Sequence, residues 1–130
     1  MSARSELAAL LTPLLPKTWK VITTETNVDK LDRTLLRLRQ TTIARHPAAP
    51  LSKHLVTFEV RVTVPGVDAA KAEDRLDAEL AILLFAINSL GGSIAWDTAT
   101  KGLDPDTQGL AYELTLTASI DRPAAPTTTQ

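Results

Sequence analysis

Cysteine is absent from all 130 residues. Disulfide frameworks, thiolate-ligated zinc or iron–sulfur centres and thiol nucleophiles are therefore excluded. Excess charge of either sign is lacking too: fourteen Lys and Arg stand against fifteen Asp and Glu, a net charge of −1. No bulk field steers such a chain to nucleic acid or to an anionic membrane, which argues against a DNA-binding protein. Long apolar runs are missing. The longest, Leu80 to Ile87, cannot span a bilayer, so no membrane partner is expected. The opening MSARSELAALL is short for a secretion signal and carries Glu6, which points to a cytosol-like compartment. Gly-rich phosphate loops, H-E-x-x-H, G-x-S-x-G and dinucleotide fingerprints are also missing, so no cofactor and no enzymatic activity are expected.

What is present suits one domain. A 44% apolar share with 22% charged residues is ordinary for a globular protein, and a chain of this length can bury about two-thirds of its unfolded surface. The strongest local signal is Asp68 to Leu90. Asp68 can cap the first turn after Pro65-Gly66, and Gly91-Gly92 offers the left-handed stop. Ala69, Ala72, Leu76, Leu80, Leu83 and Ile87 share one stripe, the face expected against a sheet. The opposite face begins with Lys71, Asp74 and Arg75 but continues with Ala78, Ile82 and Phe85, a second apolar stripe. Two covers can serve it: the chain's own ends folded over, or another copy. The second is the expectation, so Ala78, Ile82 and Phe85 are the candidate subunit interface.

Along the chain, Ser2 to Leu15 predicts a short helix ended by Pro13 and Pro16, with Leu7, Leu10 and Leu11 on one side. Thr18 to Thr24 reads as a strand with Trp19 in the core. Thr34 to Ile43 alternates Leu36 and Leu38 inward against Arg37 and Arg39 outward, and His54 to Val64 alternates Val56, Phe58, Val60, Val62 and Val64 against Thr57, Glu59, Arg61 and Thr63. If these two strands pair so that opposed residue numbers sum to about 98, Arg39 faces Glu59 across the outer surface. Between them, Ala44 to Lys53 reads as a protruding loop because of Pro47 and Pro50. Ser93 to Thr98 predicts a short strand, Lys101 to Gly109 a turn-rich connection, and Leu110 to Ile120 a last strand. The fold class is α+β: a mostly antiparallel sheet of about five strands, one long helix (residues 68–90) across a face and a short N-terminal helix. Residues 1–122 form the single domain and 123–130 a flexible tail.

Chemistry-bearing residues read mostly as structure. His46 and His54 are a poor metal set. Glu73, Asp74, Asp77 and Glu79 fit a solvated helix start better than acid–base work. Asp97, Asp104 and Asp106 suit turns for backbone reasons alone. Arg37, Arg39 and Arg61, with Lys20 adjoining, make a small cationic outer patch that lacks an exposed aromatic for stacking on nucleic acid, so it reads as solvated sheet or a subunit contact.

The opening SELAALLTPLLPKTWKVI, the strand–loop–strand LLRLRQTTIARHPAAPLSKHLVTFEVRV, the helix start KAEDRLDAEL and the terminal GLAYELTLTASI together resemble the tail terminator, or head-to-tail connector, proteins of long-tailed bacteriophages, particularly those infecting actinobacteria. The likeness covers residues 2 to about 120. It implies a virion structural protein, made in the host cytoplasm, that forms a ring, usually a hexamer. Such a ring caps the tail tube protein, stops its polymerisation and docks to the head-tail connector proteins, while genomic DNA only passes through the channel. Under that expectation the loop residues Arg45, His46, Pro47, Pro50, Leu51 and Lys53 reach a neighbouring subunit or the tube, since prolines lower the ordering cost of docking. Two alternatives stand beside it: another tail or neck ring protein, such as a tube or head-completion adaptor, and a small ligand-binding α+β domain with a pocket between sheet and helix.

Overall fold

The computed structural model describes residues 3–23, 32–45, 53–65, 69–91, 94–104 and 109–121. In chain order these form helix α1 (Ala3–Leu11) with a 3-10 turn at Thr12–Leu14, strand β1 (Lys20–Ile22), β2 (Leu35–Arg45), β3 (Lys53–Val64), helix α2 (Ala69–Asn88), β4 (Ile94–Leu103) and β5 (Leu110–Asp121). The five strands make one sheet in the order β1-β2-β3-β5-β4. Only β1 and β2 run parallel; the other neighbours are antiparallel. The α+β class, the mostly antiparallel sheet of five strands, the long helix and the short N-terminal helix are all as the sequence predicts.

Alternation builds the sheet. Val56, Phe58, Val60, Val62 and Val64 on β3, Leu36 and Leu38 on β2, and Leu114, Leu116 and Ala118 on β5 are buried together on one face. Ala72, Leu76, Leu80, Leu83 and Ile87 of α2 close over them, with Ala86 beside. Leu7 and Leu11, one turn apart on α1, seal the remainder. Each fully buried Leu or Ile contributes about 1.5–3 kcal/mol by leaving water. Proline stops α1 by denying its backbone donors, and Thr12 Oγ1 donates to Ala8 O at 2.6 Å across that last turn. Gly91, at φ +100°, ends α2 in the left-handed region that a side chain would oppose.

The register of β2 on β3 follows the expected sum from Leu35↔Thr63 to Gln40↔Phe58, and Arg39 faces Glu59. A bulge then shifts pairing by one, so that Thr42 meets Thr57. Several boundaries differ. The loop expected from Ala44 to Lys53 is shorter, because β2 continues to Arg45 and β3 begins at Lys53. β1 spans only Lys20–Ile22. The described helix runs 69–88 rather than 68–90, and Asp68 lies outside the described residues. The largest correction is β4: in place of a turn-rich segment, Lys101, Gly102 and Leu103 pair with Tyr112, Ala111 and Leu110. Turn-forming composition yields there to a ladder already started at Ile94 and to an amine anchored on α2. The expected tail, 123–130, lies outside the described residues.

Candidate functional site

The outward face of α2 carries the expected second stripe. Spacings of four and three residues put Ala78, Ile82 and Phe85 on one side of the helix, and all three are exposed. Phe85 leaves 79% of its surface open and Ile82 39%, although their neighbours Leu83 and Ile87 are wholly buried. The chain has two phenylalanines; one, Phe58, is core at 1% exposure, and the other points away from it. The alternative cover by the N-terminal segment is not what this fold does: α1 buries Leu7 and Leu11 in the core, and Phe85 stays open. Leu10, at 53%, is the exposed large apolar side chain of α1.

Behind that stripe α2 is pinned at two points by its acidic residues. Trp19 is buried as expected, and its indole Nε1–H donates to Glu79 Oε2 at 2.8 Å. The Thr34 hydroxyl donates to Glu79 Oε1 at 3.2 Å and accepts from Arg75 at 3.4 Å. Arg75 and Glu79 are themselves an ion pair at 3.7 Å. On the other flank, Lys101 Nζ lies 2.9 Å from Glu73 and 3.0 Å from Asp77, and 5.2 Å from the centre of the Tyr112 ring. Hydrogen bonds to Glu73 and then Asp77 hold the Lys101 ammonium well above the ordinary lysine range. Glu73, Asp77 and Glu79 therefore clamp the helix to strands and to the N-terminal segment.

The outer sheet face departs from the expected cationic patch, because carboxylates interleave with its arginines. Arg39 pairs with Glu59 at 3.7 Å, both half in solvent, worth about 1 kcal/mol at most. Arg61 lies 2.8 Å from Glu113 and 3.8 Å from Asp104. Arg37 is half-buried beside them. Asp104, read from sequence as a turn former, has no exposure at all; it accepts from the Thr63 hydroxyl at 3.0 Å, and its N–H donates to Gly109 O at 2.8 Å. Leu35, Thr63 and Ala111 form a row across three strands on this face, at 2%, 1% and 3% exposure. Leu35 and Leu36 are adjacent, so one of them had to face outward; that was the available signal for apolar cover on the second face.

Of the expected docking loop, His46, Pro47, Pro50 and Leu51 lie outside the described residues, while Arg45 and Lys53 are the strand ends that flank it. His54 sits in β3 opposite Arg45. Among the described residues no group of three His, Asp or Glu could hold a metal ion, and no helix is long and apolar enough to cross a membrane.

Two depressions lie among the described residues. One of mixed character and about 400 Å³ lies over β4 and β5, lined by Arg61, Thr98, Thr100, Glu113 and Thr115 together with Leu103 and Ala111. It is on the outer face, not between sheet and helix where the ligand-binding alternative would place its pocket. A mostly apolar one of about 130 Å³ opens between α1 and the sheet, lined by Ala3, Leu7, Leu10, Phe58, Ile94 and Ala118 with Glu6 and Ser119. No family model matches the chain, and no curated protein matches it.

Proposed function

We propose that this chain is the subunit of a homo-oligomeric ring, a virion structural protein of the tail-terminator kind that caps a phage tail tube and presents a docking surface to the head-tail connector. The observation that carries the reading is Phe85. A phenyl ring left 79% exposed on a rigid helix forgoes about 2 kcal/mol of burial, and Ile82 and Ala78 extend it along α2 rather than leaving it a lone surface residue. A contiguous apolar stripe mounted on a helix clamped by Glu79 and Lys101 is an interface held ready in shape, with little to reorganise on binding. The likeness of the sequence to tail terminators supplies the kind of ring; its partners in that role are other copies, the tail tube protein and the connector, with genomic DNA passing through the channel. Its place in that role is the tail–neck junction of the virion.

The test is the mass and shape of the purified chain. Native mass measurement and negative-stain imaging are expected to show closed rings of one stoichiometry, and these rings should stop polymerisation when added to tail tube protein. A chain that stays single at high concentration would sink the ring. Open tubes would move the reading to a tube protein.

A further inference from the structure

We propose that the ring contact is a knob in a hole: Phe85 of one copy enters the apolar depression between α1 and the sheet of the next. The proposal rests on the ring reading above and names the surfaces that would make it. The hole measures about 130 Å³; Ala3, Leu7, Leu10, Phe58, Ile94 and Ala118 make its apolar wall, and Glu6 and Ser119 its polar part. Apolar cavities of about 150 Å³ lined by Leu, Ile and Phe hold one benzene ring, so the hole has the size and chemistry for a single phenyl group. Leu10, half exposed, stands at its mouth, which opens it to a visitor from outside. The chain itself carries that visitor. Phe85 is the most exposed large apolar side chain among the described residues, and it does not line the hole.

Knob and hole being separate surfaces of one molecule, their contact is heterologous: each copy uses its knob on one neighbour and its hole on the other. Such contacts close into rings or run on as filaments, and they do not stop at a dimer. Area supports Phe85 as the centre of that contact. Its open part is about 160 Å², against the roughly 800 Å² each partner gives to a stable interface. The remaining area comes from the outward faces of α2, with Ile82 and Ala78, and of α1, with Leu10. A buried aromatic anchor ringed by weaker contacts is how binding energy is usually distributed.

The absence of cysteine makes a clean test. Ala81, one turn before Phe85, and Glu6, a polar residue of the hole's lining, are both exposed, so Ala81→Cys leaves the knob intact and Glu6→Cys, a smaller side chain, leaves the hole's apolar wall in place. With a short bismaleimide, mixing the two single variants is expected to give covalent dimers, and the double variant a ladder ending at the mass of the native ring. Neither single variant alone should cross-link. Self-linking by Ala81→Cys alone would mean that helix meets helix about a two-fold axis, overturning the knob-in-hole contact. Rings of normal native mass with no link between positions 6 and 81 would overturn the contact and spare the ring. A monomeric unmodified chain would remove the ring and this contact with it.

Discussion

Replacing Phe85 by Asp separates folding from assembly. In the single subunit the side chain touches little, since 79% of it is open, so the fold has little packing to lose. Phe and Asp differ little in helix propensity. An acid three residues before the last helical position, Asn88, is opposed by the helix dipole by about 0.3–1 kcal/mol. The melting temperature of the monomer should therefore fall by no more than about 4 °C. Assembly is another matter. If Phe85 is the buried anchor, each contact loses about 2 kcal/mol of transfer energy, about 30-fold in affinity, and desolvating the new carboxylate adds to that. Sedimentation of wild type and variant over a range of concentrations, beside circular dichroism melts of both, reads the two effects apart. Rings of unchanged stability in Phe85→Asp would refute the argument. So would a variant that unfolds, because the ring would then be packing inside its own chain.

Three further outcomes test the framework that holds the stripe in place. Glu79→Ala leaves the Trp19 indole N–H and the Thr34 hydroxyl, both buried, without their acceptor; urea unfolding followed by tryptophan fluorescence should show a loss of about 3 kcal/mol, and a loss below about 0.5 kcal/mol would mean the clamp contributes nothing. Asp104→Ala breaks a contact between a fully buried carboxylate, Thr63 and Arg61, and should cost about 3 kcal/mol in the same assay, with Asp104→Asn recovering part by still accepting from Thr63. Gly91→Ala meets no atom within 4 Å but must adopt φ +100°, so it should cost about 1–2 kcal/mol through backbone strain alone; no loss would mean that the helix end relaxes.

The readable parts of this protein are those set by period. Alternation on β3 and β5, and the inward stripe of α2, needed only the rule that one face of an element leaves water, and the sum-98 register followed from it as far as Gln40. What was not legible depends on contacts distant in sequence. Lys101-Gly102-Leu103 looks like a turn in sequence, yet it extends β4 because Lys101 is anchored by Glu73 and Asp77, more than twenty residues earlier. Asp104 looks like a turn former in sequence because nothing local reveals that Thr63 and Arg61 lie against it. Glu79 belongs in sequence to a solvated acidic run, although it alone of that run faces Trp19 and Thr34. The exposed stripe was legible because it is periodic too; the hole that would receive it was not, since α1, β3, β4 and β5 each supply only a fragment of its wall.

Ile82 and Leu83 give the sharpest form of the division between fold and assembly. They are adjacent, aliphatic and of nearly equal volume, and differ chiefly in the roughly 100° of helix rotation between them. One is 39% exposed and the other wholly buried. Leu83→Ala opens a void between α2 and the sheet and should cost about 2–5 kcal/mol of subunit stability. Ile82→Ala should cost the subunit less than about 1 kcal/mol, because the side chain is already partly in water and Ala is the better helix former. In the assembled state the order reverses in kind: Ile82→Ala trims the surround of the Phe85 anchor and weakens each contact, whereas any loss of rings by Leu83→Ala should follow its loss of folded subunit. Plotting oligomer fraction against unfolding free energy for both variants tells the cases apart. If the two fall on one line, assembly is only a readout of folding, and the outward face of α2 has no function of its own.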